Sequence, residues 1–146
     1  MVGTKCDSGW TLFDHTGKCY KYLSTKTDRN EGFSSCQSSH INPTTTLVSI
    51  PDKATNDFLT TLTKENAWTG GHRKADGLWG WTDGSLWTFS NWNPGEPNNH
   101  GGNEDFVEFQ STGFWNDGSL HPDVKYARGS LCQYDPATDG KLVNII

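Results

Sequence analysis

The chain carries four cysteines, Cys6, Cys19, Cys36 and Cys132, none of them spaced as a CxxC pair. An even number of separated cysteines fits a disulfide framework better than zinc or redox chemistry, and such frameworks persist in oxidising compartments. Four cysteines permit three pairings, and their spacing does not choose among them. No stretch approaches the roughly 20 apolar residues of a membrane span, and Met1-Val2-Gly3-Thr4-Lys5 lacks an apolar signal-peptide core. The expectation is therefore a secreted, extracellular protein whose signal has been removed.

At 146 residues the chain suits one domain with a core of its own. Seven Trp, seven Phe and four Tyr against one Met, with 16 Gly and six Pro, point to short strands, many turns and an aromatic core. A net charge of −5 without any run of Lys or Arg excludes nucleic acid and anionic membrane surfaces as partners.

Two helices and six strands can be placed. Asp28-Arg29-Asn30-Glu31 resembles a capping box and opens a helix through His40, with Phe33 and Cys36 on one side. Pro51-Asp52 opens a second helix to about Asn66. Ala54, Phe58, Leu59 and Leu62 should form its buried face, and Lys53, Thr55, Asn56, Asp57 and Lys64 its outer face. Short aromatic or β-branched runs predict strands at Cys19–Leu23, Leu47–Ile50, Leu78–Trp81, Asp105–Phe109, Phe114–Asn116 and Gly129–Tyr134. The pattern is α+β. A long irregular region from Gly84 to Gly102 is expected to be ordered, because Trp87, Phe89 and Trp92 lie in it and disordered segments are poor in aromatics. Trp10, Trp68, Trp81 and Trp115 are expected in the core, with Trp79 or Trp87 exposed. Residues 136–146 read as a short tail, a frayed terminus in the simpler reading, with pairing of Leu142, Val143, Ile145 and Ile146 against another chain as the alternative.

The segment Gly95-Glu96-Pro97-Asn98-Asn99-His100-Gly101-Gly102-Asn103-Glu104-Asp105 is dense in side-chain oxygens, and Trp115-Asn116-Asp117-Gly118 adds an amide and a carboxylate. Calcium takes six to eight oxygen ligands from loops of this composition. Glu96, Asn98, Glu104, Asn116 and Asp117 together offer three carboxylates and two amide oxygens. Asn, Asp and Gly are equally the residues of ordinary surface turns, so composition alone leaves both readings open.

The chain resembles the C-type lectin-like domain, a secreted, disulfide-stabilised α+β fold, from Cys6 to Cys132. Trp68-Thr69-Gly70-Gly71 is similar to the family's WIGL core segment. Asn91-Trp92, Glu96-Pro97-Asn98, Trp115-Asn116-Asp117 and Cys132-Gln133 follow in the family's order. The resemblance implies a C-type lectin-like fold with two helices packed on short antiparallel sheets and a long calcium-binding loop, spanning residues 6–135. It implies disulfides Cys6–Cys19, as in the long form, and Cys36–Cys132. The family's further disulfide falls at Phe106 and Leu120, where an apolar contact is expected instead. By the same resemblance Glu96, Asn98, Glu104, Asn116 and Asp117 hold one calcium, the Asp117 carbonyl adds a ligand, and Pro97 follows a cis bond. A second calcium is not expected, because His72, Arg73 and Lys74 stand where acids are usual, Asn99 replaces an aspartate, and only Asp76 remains.

The resemblance further implies a calcium-dependent lectin in which the ion bridges vicinal sugar hydroxyls. Glu96-Pro97-Asn98 is similar to the mannose-type order, for the equatorial 3- and 4-hydroxyls of mannose, glucose, N-acetylglucosamine or fucose. The galactose-type order is Gln-Pro-Asp followed by a stacking Trp, and Asn99-His100-Gly101-Gly102 contains none. His100 is a candidate sugar contact. Expected partners are mannose-type glycans on cell surfaces or glycoproteins, met by a homo-oligomer, since single sites of this kind bind weakly. Two rivals are a galactose-type or protein-binding module and a glycosidase using Glu96, Glu104, Asp105 and Asp117. Crowding several acids on one loop suits an ion better than acid/base work, so no enzyme is expected. Zinc is equally disfavoured, since His15, His40, His72, His100 and His121 contain no i, i+4 pair.

Overall fold

A computed structural model describes residues 5–120 and 124–136. His121 and the tail positions Leu142, Val143, Ile145 and Ile146 lie outside them. Strand β1 (Thr11–Phe13) turns into β2 (Lys18–Thr27), and helix α1 (Arg29–Ser39) leads to β3 (Thr46–Leu47) and helix α2 (Lys53–Leu62). Strands β4 (Ala67–Arg73) and β5 (Trp79–Trp81) precede the long loop, after which come β6 (Phe106–Phe109), β7 (Trp115–Gly118) and β8 (Arg128–Tyr134). The strands form one ladder in the order β1-β2-β8-β4-β6-β7, with β3 on β8 and β5 on β4. The α+β class holds, but the sheet is mixed rather than purely antiparallel. Ala67 and Trp68 of β4 run parallel to Gly129 and Ser130 of β8, which joins the N-terminal strands to those carrying the site.

Helix α1 begins as its sequence dictates. Asp28 accepts from Glu31 N at 2.8 Å while Asp28 N donates to Glu31 Oε1 at 3.1 Å, a reciprocal cap. Asp52 caps α2 by accepting from Thr55 N and Thr55 Oγ1. The helix stops at Leu62 rather than near Asn66, because Thr63 N and Thr63 Oγ1 both donate to Leu59 O and end the run. Its two faces also differ from the sequence expectation. Ala54 is exposed, whereas Thr55 and Asn56 are buried. Asn56 accepts from Trp115 Nε1 at 2.7 Å and donates to Gly113 O at 2.9 Å, so a polar residue sits inward because it satisfies a buried indole and a buried carbonyl.

The Asp52 cap makes one prediction about acid. Partial burial pushes this carboxyl up, but the Thr55 hydroxyl, His15 and the Thr55 N–H outweigh that and hold it down at about 2, from an ordinary 3.8. A depressed carboxyl contributes stability that is present above the unfolded value and lost as pH falls through the folded one. Asp52→Ala is expected to cost about 1 kcal/mol near neutrality, and the gap to the native chain should close towards pH 2. Urea titrations at the two pH values read this directly; a gap unchanged at pH 2 would remove the charge from the account.

Strands β1 and β4 are absent from the sequence expectation. Gly70 and Gly71 weaken the strand signal of β4, yet the packing requires them. A Cβ on Gly70 would lie 2.9 Å from Val48 O and 3.1 Å from Leu47 O, and one on Gly71 would overlap Val107. The strand is legible only once its neighbours are in place. Observed β3 is also shorter than expected, although Val48 N still donates to Leu131 O at 3.0 Å.

Cys6–Cys19 and Cys36–Cys132 are both bonded, the latter tying α1 to β8 across 96 residues. Trp10, Trp68, Trp81 and Trp115 are buried. Trp79 and Trp87 are half-buried rather than exposed, since Trp87 stacks on Trp81 at 4.3 Å and Trp79 lies 5.0 Å from Trp92. This indole cluster fastens the long loop to the core. Phe106 and Leu120 do not form the expected buried pair. Phe106 packs with the cluster around Trp68 beneath the Arg29 guanidinium, 4.9 Å away, while Leu120 is 45% exposed.

Candidate functional site

The long loop is tied to β7 as if it were a further strand. Trp115 N donates to Asn91 O and Asn93 N to Trp115 O, and Glu96 N then donates to Asn93 O to close a turn. Gly95 takes φ +87° after that turn, the Glu96–Pro97 bond is cis, and Asn99 adopts φ +48°. Asn is the non-glycine residue that enters this left-handed region most readily. These features bring the side chains of Glu96, Asn98 and Glu104 to the edge of the sheet where β7 presents Asn116 and Asp117.

Asp117 is fully buried and organises the loop. Its Oδ2 accepts from Asn99 N at 2.7 Å, and Asn98 N lies 3.3 Å from its Oδ1 and 3.1 Å from Glu96 Oε1. His100 N donates to Asn98 Oδ1 at 3.1 Å and Glu104 Oε1 at 2.8 Å. Two backbone amides thus gather four oxygens in two pairs. Glu104 N in turn donates to Asn99 Oδ1 at 2.9 Å. Asn116 lines a cleft of about 120 Å3 with Glu104, Glu108, Asp117 and Arg128. His100 is exposed. Backbone N–H groups thus link Glu96, Asn98, Glu104 and Asp117, and Asn116 shares a cleft with Glu104 and Asp117.

The electrostatics of the cluster are unbalanced. Desolvation, the hydrogen bond to Asp117 and the charges of Asp117 and Glu108 raise the Glu96 carboxyl. Desolvation and the charges of Asp117 and Glu96 likewise raise Glu104. Among the described residues no Lys or Arg forms an ion pair with Glu96, Glu104 or Asp117. Like charges drawn together without a counter-charge fit a hard cation as the missing partner. As they stand, no three His, Cys, Asp or Glu side chains among the described residues converge closely enough to hold an ion. Their oxygens are turned instead to the N–H groups of residues 98 to 100.

Two participants escaped the sequence. Glu108, opposite Asn116 in the β6–β7 ladder, is 3% exposed, accepts from Asn66 Nδ2 at 2.9 Å and pairs with Arg128 at 3.1 Å. Burial raises its carboxyl, against which Arg128 and Asn66 act. Arg73 is the second: its guanidinium reaches Asp105 Oδ1 and Glu104 O. Neither position carries a local signal, since both partnerships join residues 20 or more apart. A groove of about 630 Å3 between α1, β3 and residues 82–85 contains none of the candidate ligand residues.

The family described as Lectin C-type domain matches residues 25–133, and the chain belongs to it. Its members are carbohydrate-binding domains without enzymatic activity, which removes the glycosidase reading, and they generally bind calcium. The sequence is 34% identical over 141 residues to a lectin of Pleurodeles waltl, covering 90% of this chain and 77% of that one. It spans 22% to 62% of six other curated relatives, among them the low affinity immunoglobulin epsilon Fc receptor of Mus musculus, 45% identical over 73 residues. The fold superposes on the cow CD23 carbohydrate-recognition domain, solved with a GlcNAc2Man3 oligosaccharide, with TM-score 0.77, 29% identity and coverage of 88% and 95% of the two chains. A solved complex of SPL-1 with GlcNAc gives TM-score 0.72 at 26% identity, covering 90% and 96%.

Proposed function

We propose that this domain, residues 6–135, is a calcium-dependent lectin of the mannose type. The observation that carries the reading is the uncompensated cluster of Glu96, Glu104 and Asp117 with Asn98 and Asn116 at one edge of the sheet. These five residues would hold one calcium, with the Asp117 carbonyl as a further ligand. The ion supplies a Lewis-acid centre for two vicinal hydroxyls. The protein supplies direction: carboxylate oxygens only accept, whereas the asparagine amides also donate, so Glu96 with Asn98 and Glu104 with Asn116 set the polarity of the hydrogen bonds offered to each hydroxyl. Glu96-Pro97-Asn98 and the lack of a Trp in residues 99–102 favour equatorial hydroxyls. Relatives solved with GlcNAc2Man3 and with GlcNAc lend support to that ligand class. Exposed His100, whose N–H donates to Asn98 Oδ1 and Glu104 Oε1, would be a further contact to the sugar. One sugar on one ion binds with a dissociation constant on the order of 1 mM. Glycan capture then requires several domains, supplied by a secreted homo-oligomer acting on mannose-type glycans of cell surfaces or glycoproteins.

Passage over immobilised mannose and galactose with calcium, followed by chelator, tests the reading. Retention on mannose and release by chelator is expected. Calcium-dependent retention on galactose would overturn the specificity, and retention on neither would overturn the sugar-binding reading.

A further inference from the structure

We infer that Arg73 is a positioning residue for Glu104, a fixed cation of the chain that clamps the start of β6 against β4 and anchors the end of the candidate ligand loop to the sheet. The inference rests on the calcium-binding reading above. The β4–β6 ladder is irregular where the loop rejoins the sheet: Trp68 pairs with Glu108 and His72 with Phe106, four residues on one strand against two on the other. Regular pairing therefore gives little hold on Glu104 and Asp105, which lie just outside β6. Arg73 supplies the hold. Its N–H donates to Asp105 O at 2.7 Å, its Nε to Asp105 Oδ1 at 3.1 Å and its Nη2 to Glu104 O at 3.2 Å. The guanidinium plane is itself fixed, lying 4.4 Å from the Trp79 ring within the indole cluster. With the side chain three-quarters buried, a charge-assisted fork that bonds a carboxylate and a carbonyl at once transmits the position of the core to the loop.

The ion pair of Arg73 is with Asp105, outside the candidate ligand set. Arg73 touches the Glu104 backbone and not its carboxylate, whose Oε1 accepts from His100 N. It can therefore orient Glu104 without competing for its charge, as outer partners of a metal site do. Both disulfides lie elsewhere in the chain.

The test compares native, Arg73→Gln and Arg73→Lys domains by calorimetric titration with calcium alone at neutral pH, and by melting in chelator. Arg73→Gln is expected to lower calcium affinity by tenfold or more, with a smaller change in the chelator melt. Arg73→Lys should recover part of the loss, because it keeps the charge but cannot bond Asp105 Oδ1 and Glu104 O as a fork. A separate Asp105→Asn domain removes the ion pair from the other side. It should by itself lower calcium affinity, and this arm stands if Arg73→Gln fails to fold; where both variants fold, the two losses should not add in the double variant. Calcium affinity unchanged in Arg73→Gln, or a loss that adds in full to that of Asp105→Asn, would overturn the clamp. A native domain that binds no calcium would instead overturn the function on which the inference rests.

Discussion

In a Glu104→Gln domain calcium is expected to bind at least a hundredfold more weakly, about 2.7 kcal/mol, and retention on mannose should disappear. The substitution keeps the local geometry, because an amide oxygen can still accept the His100 N–H that Glu104 Oε1 now holds at 2.8 Å. What changes is charge. Three carboxylates become two, and the number of charged ligands is a main determinant of calcium affinity in oxygen sites. The same change relieves the repulsion that Asp117 and Glu96 exert on Glu104, so the chelator-treated domain should melt no lower than the native one. Weak calcium binding with an intact melt separates the loss of a ligand from a loss of fold. Calorimetric titration at neutral pH, read beside a thermal melt in chelator, provides both numbers. Native-like calcium affinity would take Glu104 out of the ligand set.

Replacing Cys36 and Cys132 together by alanine is expected to cost about 4 to 5 kcal/mol from loop closure alone. The bond closes a loop of 96 residues and holds α1 on β8, which lies at the centre of the ladder between β2 and β4. Both cysteines are completely buried, so their loss also opens space beside Leu47, Trp68 and Tyr134. Domains of this size have about 5 to 15 kcal/mol in total, and the double variant should be largely unfolded at 37 °C. Removing Cys6–Cys19, which spans only 13 residues at the β1–β2 edge, should cost about 3 kcal/mol and leave the site intact. Urea denaturation of the two variants ranks them. A smaller cost for Cys36–Cys132 than for Cys6–Cys19 would show that core packing, not the crosslink, holds α1 to the sheet.

Much of the molecule is written locally. The capping box at Asp28 and Glu31 and the cap at Asp52 are interactions over three residues, and each places a helix start within a residue. Glu96, Asn98, Glu104, Asn116 and Asp117 are legible as oxygen-bearing residue types, although composition alone does not separate them from ordinary surface turns. Where the sequence misleads, the deciding partner is distant. Asn56 reads as an outer helix position until Trp115, 59 residues on, presents an indole to be satisfied. Gly70 and Gly71 read as a break in the chain until Val48 O and Val107 close in from neighbouring strands. Phe106 and Leu120 invite pairing, yet Phe106 gains more by lying under Arg29 and against the Trp68 cluster.

By itself the sequence determined the α+β class, the two helix starts and the aromatic core, because these depend on residue type and on spacings of a few residues; Glu96, Asn98, Glu104, Asn116 and Asp117 became a candidate ligand set only through the family resemblance. Tertiary structure decided which faces are buried, that one parallel contact between β4 and β8 unites the sheet, and that Arg73 and Glu108 stand behind the ligand residues. Burial and charge pairing are properties of what surrounds a side chain, and in this fold those surroundings come from strands 20 to 60 residues away.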